Sequence, residues 1–447
     1  MPDALRQFRY LAVPIAAVAL LTGVEWLANE KTEARLSAAD WHRSGFGPAS
    51  YSAAIARSEA DIALGGERVR KGRDQWLRHE SLARAYLLRS HLSYTYDELA
   101  AAGEALSEAK RLAPAGSGPV LSDAVFAQMS HQLGRAEASL RVMDGWAVKS
   151  EPTELAESAS LKGDIAFYRG DMSLARTRYE EAGRYGPSAG VAYRLAILSK
   201  SRGDFDAAIQ HFADANPDPQ ATTPFANANT AMQIGGVNLA RGEYESAREW
   251  FEKADRLFPG FWLIEAHLAQ AQALEGNLDG AIAQMRDVAL RAPSAEVLDA
   301  LAMLLRANGQ AKESQLWAAK AAAIWNERLA QLPEATYGHA VEHELVFGSP
   351  DKALDLARRN LAARPYGESR ILLASALLSN GEMNEALDQL ALAEKSGWRS
   401  APLYALRAQA FELLGREAEA AMARDEAETL NPHIFKRETS LIWLSHG

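Results

Sequence analysis

Residues 235–259 read GGVNLARGEYESAREWFEKADRLFP, and this stretch decides the fold. Its marked positions are Gly235, Gly242, Tyr244, Ala247, Phe251, Ala254 and Pro259, at steps of 7, 2, 3, 4, 3 and 5. Each residue type has a physical reason in a helical hairpin. Gly242 can take the left-handed backbone that stops a first helix. Glu243 follows at the start of a second helix, where negative charge is favoured. Gly235 and the alanines let two antiparallel helices approach closely. Phe251 lies four residues after Ala247, on the same helical face, and fills the gap between helices. Pro259 cannot continue the second helix, so the chain reverses there.

The pattern recurs. Residues 163–187 repeat it nearly step for step through Gly163, Gly170, Met172, Ala175, Tyr179, Ala182 and Pro187. A third copy has Gly203, Phe205, Ala208, Phe212 and Ala215, and a fourth has Gly276, Leu278, Ala281, Met285 and Pro293. Weaker copies turn on Gly309, Gly348, Gly381 and Gly415. The turn glycines from 170 to 415 are spaced 33, 39, 34, 33, 39, 33 and 34. Gly134 reads as a degenerate earlier member, and Asp97 as the turn of one more unit. Units of this size cannot bury their apolar faces alone, so they stack.

This pattern resembles the tetratricopeptide repeat (TPR), a 34-residue helix–turn–helix. The match covers about residues 80–432, some ten units, although the family's fourth-position tryptophan is missing from most of them. The resemblance implies an all-α, right-handed superhelical solenoid of about ten hairpins. The two 39-residue steps predict longer loops, one at Asn216-Pro217-Asp218-Pro219.

Outward from the array, residues 29–79 read as a stalk and lead-in helix, with Ser50–Leu64 at helical spacing. Residues 433–447 read as a capping tail around Leu441-Ile442-Trp443-Leu444, or as a docking tail. Residues 1–28 read as a signal-anchor helix, because Phe8–Leu27 is apolar and long enough to cross a bilayer. A cleaved signal peptide is the alternative. Arg6 and Arg9 outweigh Asp3, which predicts a cytoplasmic N-terminus, a single-pass inner-membrane protein and a periplasmic array.

The 48 Lys and Arg fall short of the 58 Asp and Glu, so the net charge is −10, which argues against a dedicated nucleic-acid binder. The absence of cysteine excludes disulfides, thiolate catalysis and Cys-ligated zinc. A basic run at Arg68, Arg70, Lys71, Arg73 and Arg78 reads as a solvated face, or as a contact for anionic headgroups or polymer. Two catalytic strings are discounted. Gly186-Pro187-Ser188-Ala189-Gly190 fits G-x-S-x-G but lacks the flanking strand that motif needs. His339-Ala340-Val341-Glu342-His343 fits H-x-x-E-H, which leaves a metal hydrolase only as a remote alternative, since no third ligand can be identified. No cofactor and no enzymatic activity are expected.

A solenoid's concave groove, lined by first helices, suits an extended peptide or helix from a partner. The resemblance implies groove-facing positions at Phe167, Tyr168, Tyr193, Ile197, Lys200, Asn229, Met232, Gln270, Met303 and Arg306. The Lys/Asn clamp that chaperone-binding TPR proteins use for a C-terminal carboxylate is not recognisable here. The expected role is a membrane-anchored periplasmic scaffold that positions a protein partner, with polysaccharide or cell-envelope assembly the favoured setting. An adaptor in cytochrome c maturation, or a spacer that self-assembles, are the alternatives.

Overall fold

A computed structural model of the chain describes residues 44–444, apart from 149, 187, 217, 219 and 220. The expected anchor at 1–28, the first part of the stalk, Pro187 and part of the 216–219 loop lie outside the described residues. Helix α1 (Tyr51–Arg70) is followed by ten antiparallel helix pairs, and no strand occurs among the described residues. The first pairs are α2 Trp76–Ser93 with α3 Tyr96–Leu112, α4 Val120–Met129 with α5 Leu133–Asp144, and α6 Pro152–Tyr168 with α7 Met172–Gly183. Next come α8 Ala189–Ser201 with α9 Phe205–Ala215, α10 Pro224–Ala240 with α11 Tyr244–Leu257, and α12 Trp262–Leu274 with α13 Leu278–Arg291. The last are α14 Ala295–Ala307 with α15 Ala311–Gln331, α16 Pro333–Phe347 with α17 Pro350–Ala363, α18 Gly367–Ser379 with α19 Met383–Lys395, and α20 Ala401–Leu413 with α21 Glu417–Leu430. Each pair packs on the next, so the chain is an all-α array of TPR-like hairpins.

The hairpin tips follow the residue chemistry. Gly170, Gly203, Gly242, Gly276, Gly309, Gly381 and Gly415 all have positive φ, from 70° to 90°. The residue after the glycine closes one helix and opens the next. The Asp171 N–H donates to Ala166 O at 2.9 Å, and its carboxylate accepts from Leu174 N–H at 2.9 Å. Asp204 and Asn277 do the same.

Three tips differ from expectation. Gly348 has φ −111° and is not left-handed, and the next helix starts instead on Ser349-Pro350. Gly134 lies inside α5, and the left-handed residue of that tip is His131 (φ 58°). At the first tip it is Tyr94 (φ 56°), not Asp97. Ring packing holds both strained residues: His131 meets Tyr168 at 5.2 Å and Tyr94 meets Trp262 at 5.6 Å.

Between the helices of each pair lies the expected seam. Ala175, Tyr179 and Ala182 are buried, as are Ala247, Phe251 and Ala254. The array also winds back onto itself. The tip at Gly203 meets the junction before α20, where the Arg399 N–H donates to Ser201 O at 2.9 Å. The tip at Gly242 meets Asn431, whose side-chain amide donates to Ala240 O at 3.2 Å. The Gly170 tip approaches Pro365. Near the other end the Tyr96 hydroxyl donates to Ala335 O at 2.9 Å, and Arg328 lies 4.5 Å over its ring. Successive turns of the coil therefore touch, and the groove between them narrows into a lumen that stays partly open to solvent.

The expected localisation is corrected. Among the described residues no helix is long and apolar enough to cross a membrane. The longest, α15, carries Lys312, Glu313, Lys320, Glu327 and Arg328, which a hydrocarbon core would not accept. The single-pass inner-membrane assignment, with its periplasmic array, is set aside.

Candidate functional site: the lumen

The lumen holds a cavity of about 470 Å³, walled by α6, α8, α10, α16 and α18, the junctions after α17 and α19, and the segment after α21. Aromatic rings line one side. Tyr168 and Tyr366 are 5.2 Å apart edge-on, Phe167 is 5.8 Å from Tyr366, and Trp398 is 5.7 Å from Tyr366. The Arg364 guanidinium lies 5.6 Å over both tyrosine rings. Burial raises the Tyr168 hydroxyl pKa, with Arg364 opposing, so the phenol stays neutral. Burial, with the charges of Arg364 and His339, holds His131 well below the usual imidazole range, so His131 is uncharged at neutral pH. Burial also lowers the pKa of Lys200, against the pull of Glu368.

The groove positions implied by the resemblance fall into separate places. Phe167, Tyr168, Ile197 and Lys200 line the cavity. Met232 is buried among helices, and Tyr193 packs its ring on Phe212 at 5.2 Å, with Asn229 beside it. Arg306 is exposed, sits over the Phe347 ring at 4.7 Å and donates to Val346 O at 3.0 Å, close to Met303.

Gln270, on α12, has a different role. Its Oε1 accepts from the Trp443 and Leu444 backbone N–H groups, each at 2.9 Å, and its Nε2 donates to Leu444 O at 3.2 Å. The segment after α21 thus runs along the lumen, gripped by its main chain. A 3₁₀ turn over Arg437–Leu441 precedes the grip, the Thr439 hydroxyl meets the Tyr244 hydroxyl at 3.1 Å, and Thr439 and Ile442 line the cavity.

Arg364, Tyr366 and Trp398 carry no sequence signal as site residues, because they sit at junctions between hairpins rather than on the first helices the repeat pattern marks. The H-x-x-E-H string resolves into structural bonds. His343 Nδ1 pairs with buried Asp299 at 2.8 Å, while His339 Nδ1 faces Glu342 at 3.3 Å and stacks on Trp325. The described residues contain no group of three His, Asp or Glu side chains able to hold a metal.

His267, stacked on Phe251 at 4.6 Å, adds a pH dependence. Burial, with Lys200's charge adding, holds its pKa at about 3 against an ordinary 6.5. The unfolded chain takes up this proton below pH 6.5, and the folded chain does not until about pH 3. Stability therefore falls as pH drops through that window, by up to about 1.4 kcal/mol per pH unit from this group. In His267→Phe that share of the slope should vanish. Urea midpoints at neutral and mildly acid pH check it, and an unchanged slope refutes it.

No family model matches the chain, and no curated protein matches it. Solved structures similar to it include a tetratricopeptide repeat protein from Parabacteroides merdae, at 16% identity over 57% of this chain and 99% of that one, TM-score 0.35. Another is Rap protein complexed with competence and sporulation factor, at 14% identity over 70% and 96%, TM-score 0.43. Yeast Tom70 is a third, at 16% identity over 95% and 98%, TM-score 0.41. The repeat type of this chain rests on its own hairpins rather than on these likenesses.

Proposed function

We propose that this array of TPR-like hairpins is a scaffold whose lumen takes an extended segment of a partner protein. The observation that supports it is the grip of Gln270 on residues 443 and 444. A side-chain amide that satisfies two main-chain N–H groups and a carbonyl recognises main chain in general, not one side chain. The neighbouring rings and aliphatic groups then select apolar side chains, since aromatic walls supply most binding energy in such sites.

The test takes the chain cut after residue 434 and a synthetic peptide of residues 435–447. Binding in the micromolar range is expected. Gln270→Ala should weaken it by about tenfold, the worth of one or two net hydrogen bonds. In the uncut chain Gln270→Ala should open the end of the chain to protease. A peptide that fails to bind a truncated chain with intact helicity refutes the reading.

A further inference from the structure

The cavity holds a second, independent feature. Arg364 is 6% exposed, and among the described residues no carboxylate lies within ion-pair distance of its guanidinium. Its one side-chain hydrogen bond partner is Asn360 Oδ1, at 3.0 Å, and its Nε–H has none. The Nε1–H of Trp398, also 6% exposed, is equally unpartnered, and so is His131 Nδ1. All three residues line the same cavity. Of the other charged groups there, Lys200 has Glu368 near it, and Glu342 lies 3.3 Å from the His339 ring. A buried cation without an ion pair is costly unless an acceptor carrying negative charge joins it.

We propose that this cavity is a binding site for a small organic carboxylate with a flat apolar body. The carboxylate is held by Arg364, and the body lies against the Tyr168 and Tyr366 rings. The volume suits one such molecule, since ligand cavities run from about 300 to 1,000 Å³. Arginine already stacked on two rings is pre-oriented, so little side-chain freedom is lost on binding. A single guanidinium with no ion pair of its own fits a monoanionic carboxylate better than a phosphate dianion. The partner segment proposed above plays no part in this site's chemistry.

Benzoate is the probe, with benzamide as the uncharged isostere and inorganic phosphate as the other anion. With the full chain, benzoate should raise the thermal midpoint and show saturation transfer from protein to ring, while benzamide and phosphate do neither. Arg364→Met keeps an apolar stem without the charge. It should abolish the benzoate response while holding or raising the midpoint of the unliganded protein, because an uncompensated charge is gone. An equal response to benzamide, a response to phosphate instead, or no benzoate response at all overturns the proposal. A benzoate response that survives in Arg364→Met also overturns it, and makes Arg364 a packing strut.

Discussion

Asp299→Ala is expected to loosen the middle of the array by about 3–5 kcal/mol. Asp299 is fully buried on α14 and both of its oxygens are used. Oδ2 accepts from the indole N–H of Trp325 on α15 at 2.8 Å, and Oδ1 meets His343 Nδ1 on α16 at 2.8 Å. One carboxylate therefore joins both helices of its own hairpin to the first helix of the next. Burial raises its pKa, with His343 and Trp325 opposing. Alanine would leave two buried donors unpaired, each worth about 1–3 kcal/mol, and a cavity where the carboxylate was. Asp299→Asn keeps part of the acceptor capacity and should cost about half as much. A long repeat array need not unfold in one step, so the readout is hydrogen exchange across residues 295–363 alongside urea unfolding. The contact of Arg328 with Tyr96 should loosen too, because Arg328 is paired with Glu296, one turn before Asp299, at 2.7 Å. Wild-type protection across that region would refute the assignment.

Gly235→Val should cost about 3 kcal/mol, and Gly163→Val a similar amount. Neither glycine is needed for its backbone, since both lie within helices and their φ is not positive. What they provide is space. A Cβ at Gly235 would sit 2.5 Å from the Phe251 ring, and one at Gly163 2.3 Å from the Tyr179 ring. Helix propensity alone would favour substitution by about 1 kcal/mol for alanine, so the sign of the effect separates the two influences. If contact wins, even Gly235→Ala destabilises, and Phe251→Leu in that background recovers part of the loss as a coupling in a double-mutant cycle. A stabilised Gly235→Ala would mean that the ring moves aside and the close approach is not required.

Much of this architecture could be read along the chain. The step from Gly242 to Phe251 carries both the tip and the seam of a hairpin, and its copies mark the others. Where the step failed, the reason is physical. Tyr94 and His131 are left-handed without being glycine because rings from other hairpins hold them, and no local pattern announces that. Gly348 looks like a tip glycine, but Ser349-Pro350 shapes that turn instead. The first-helix rule brought Tyr168, Lys200 and Gln270 to the lumen, yet it missed Arg364 and Trp398, which sit at junctions and meet Tyr168 and Phe167 respectively only through the winding of the coil. The membrane reading rested on hydropathy at residues outside the described region.

Periodicity over some 34 residues was enough to define hairpins, because tip conformation and close helix approach are local demands that particular residue types must meet. The pitch of the coil answers to no such local demand. It follows from small rotations summed over ten pairs and from contacts between residues nearly 200 positions apart, such as Ser201 with Arg399. Those contacts narrow the groove into a lumen, bring Thr439 and Ile442 to its wall, and leave a buried arginine lining a cavity. They belong to the assembled coil and are written in no single repeat.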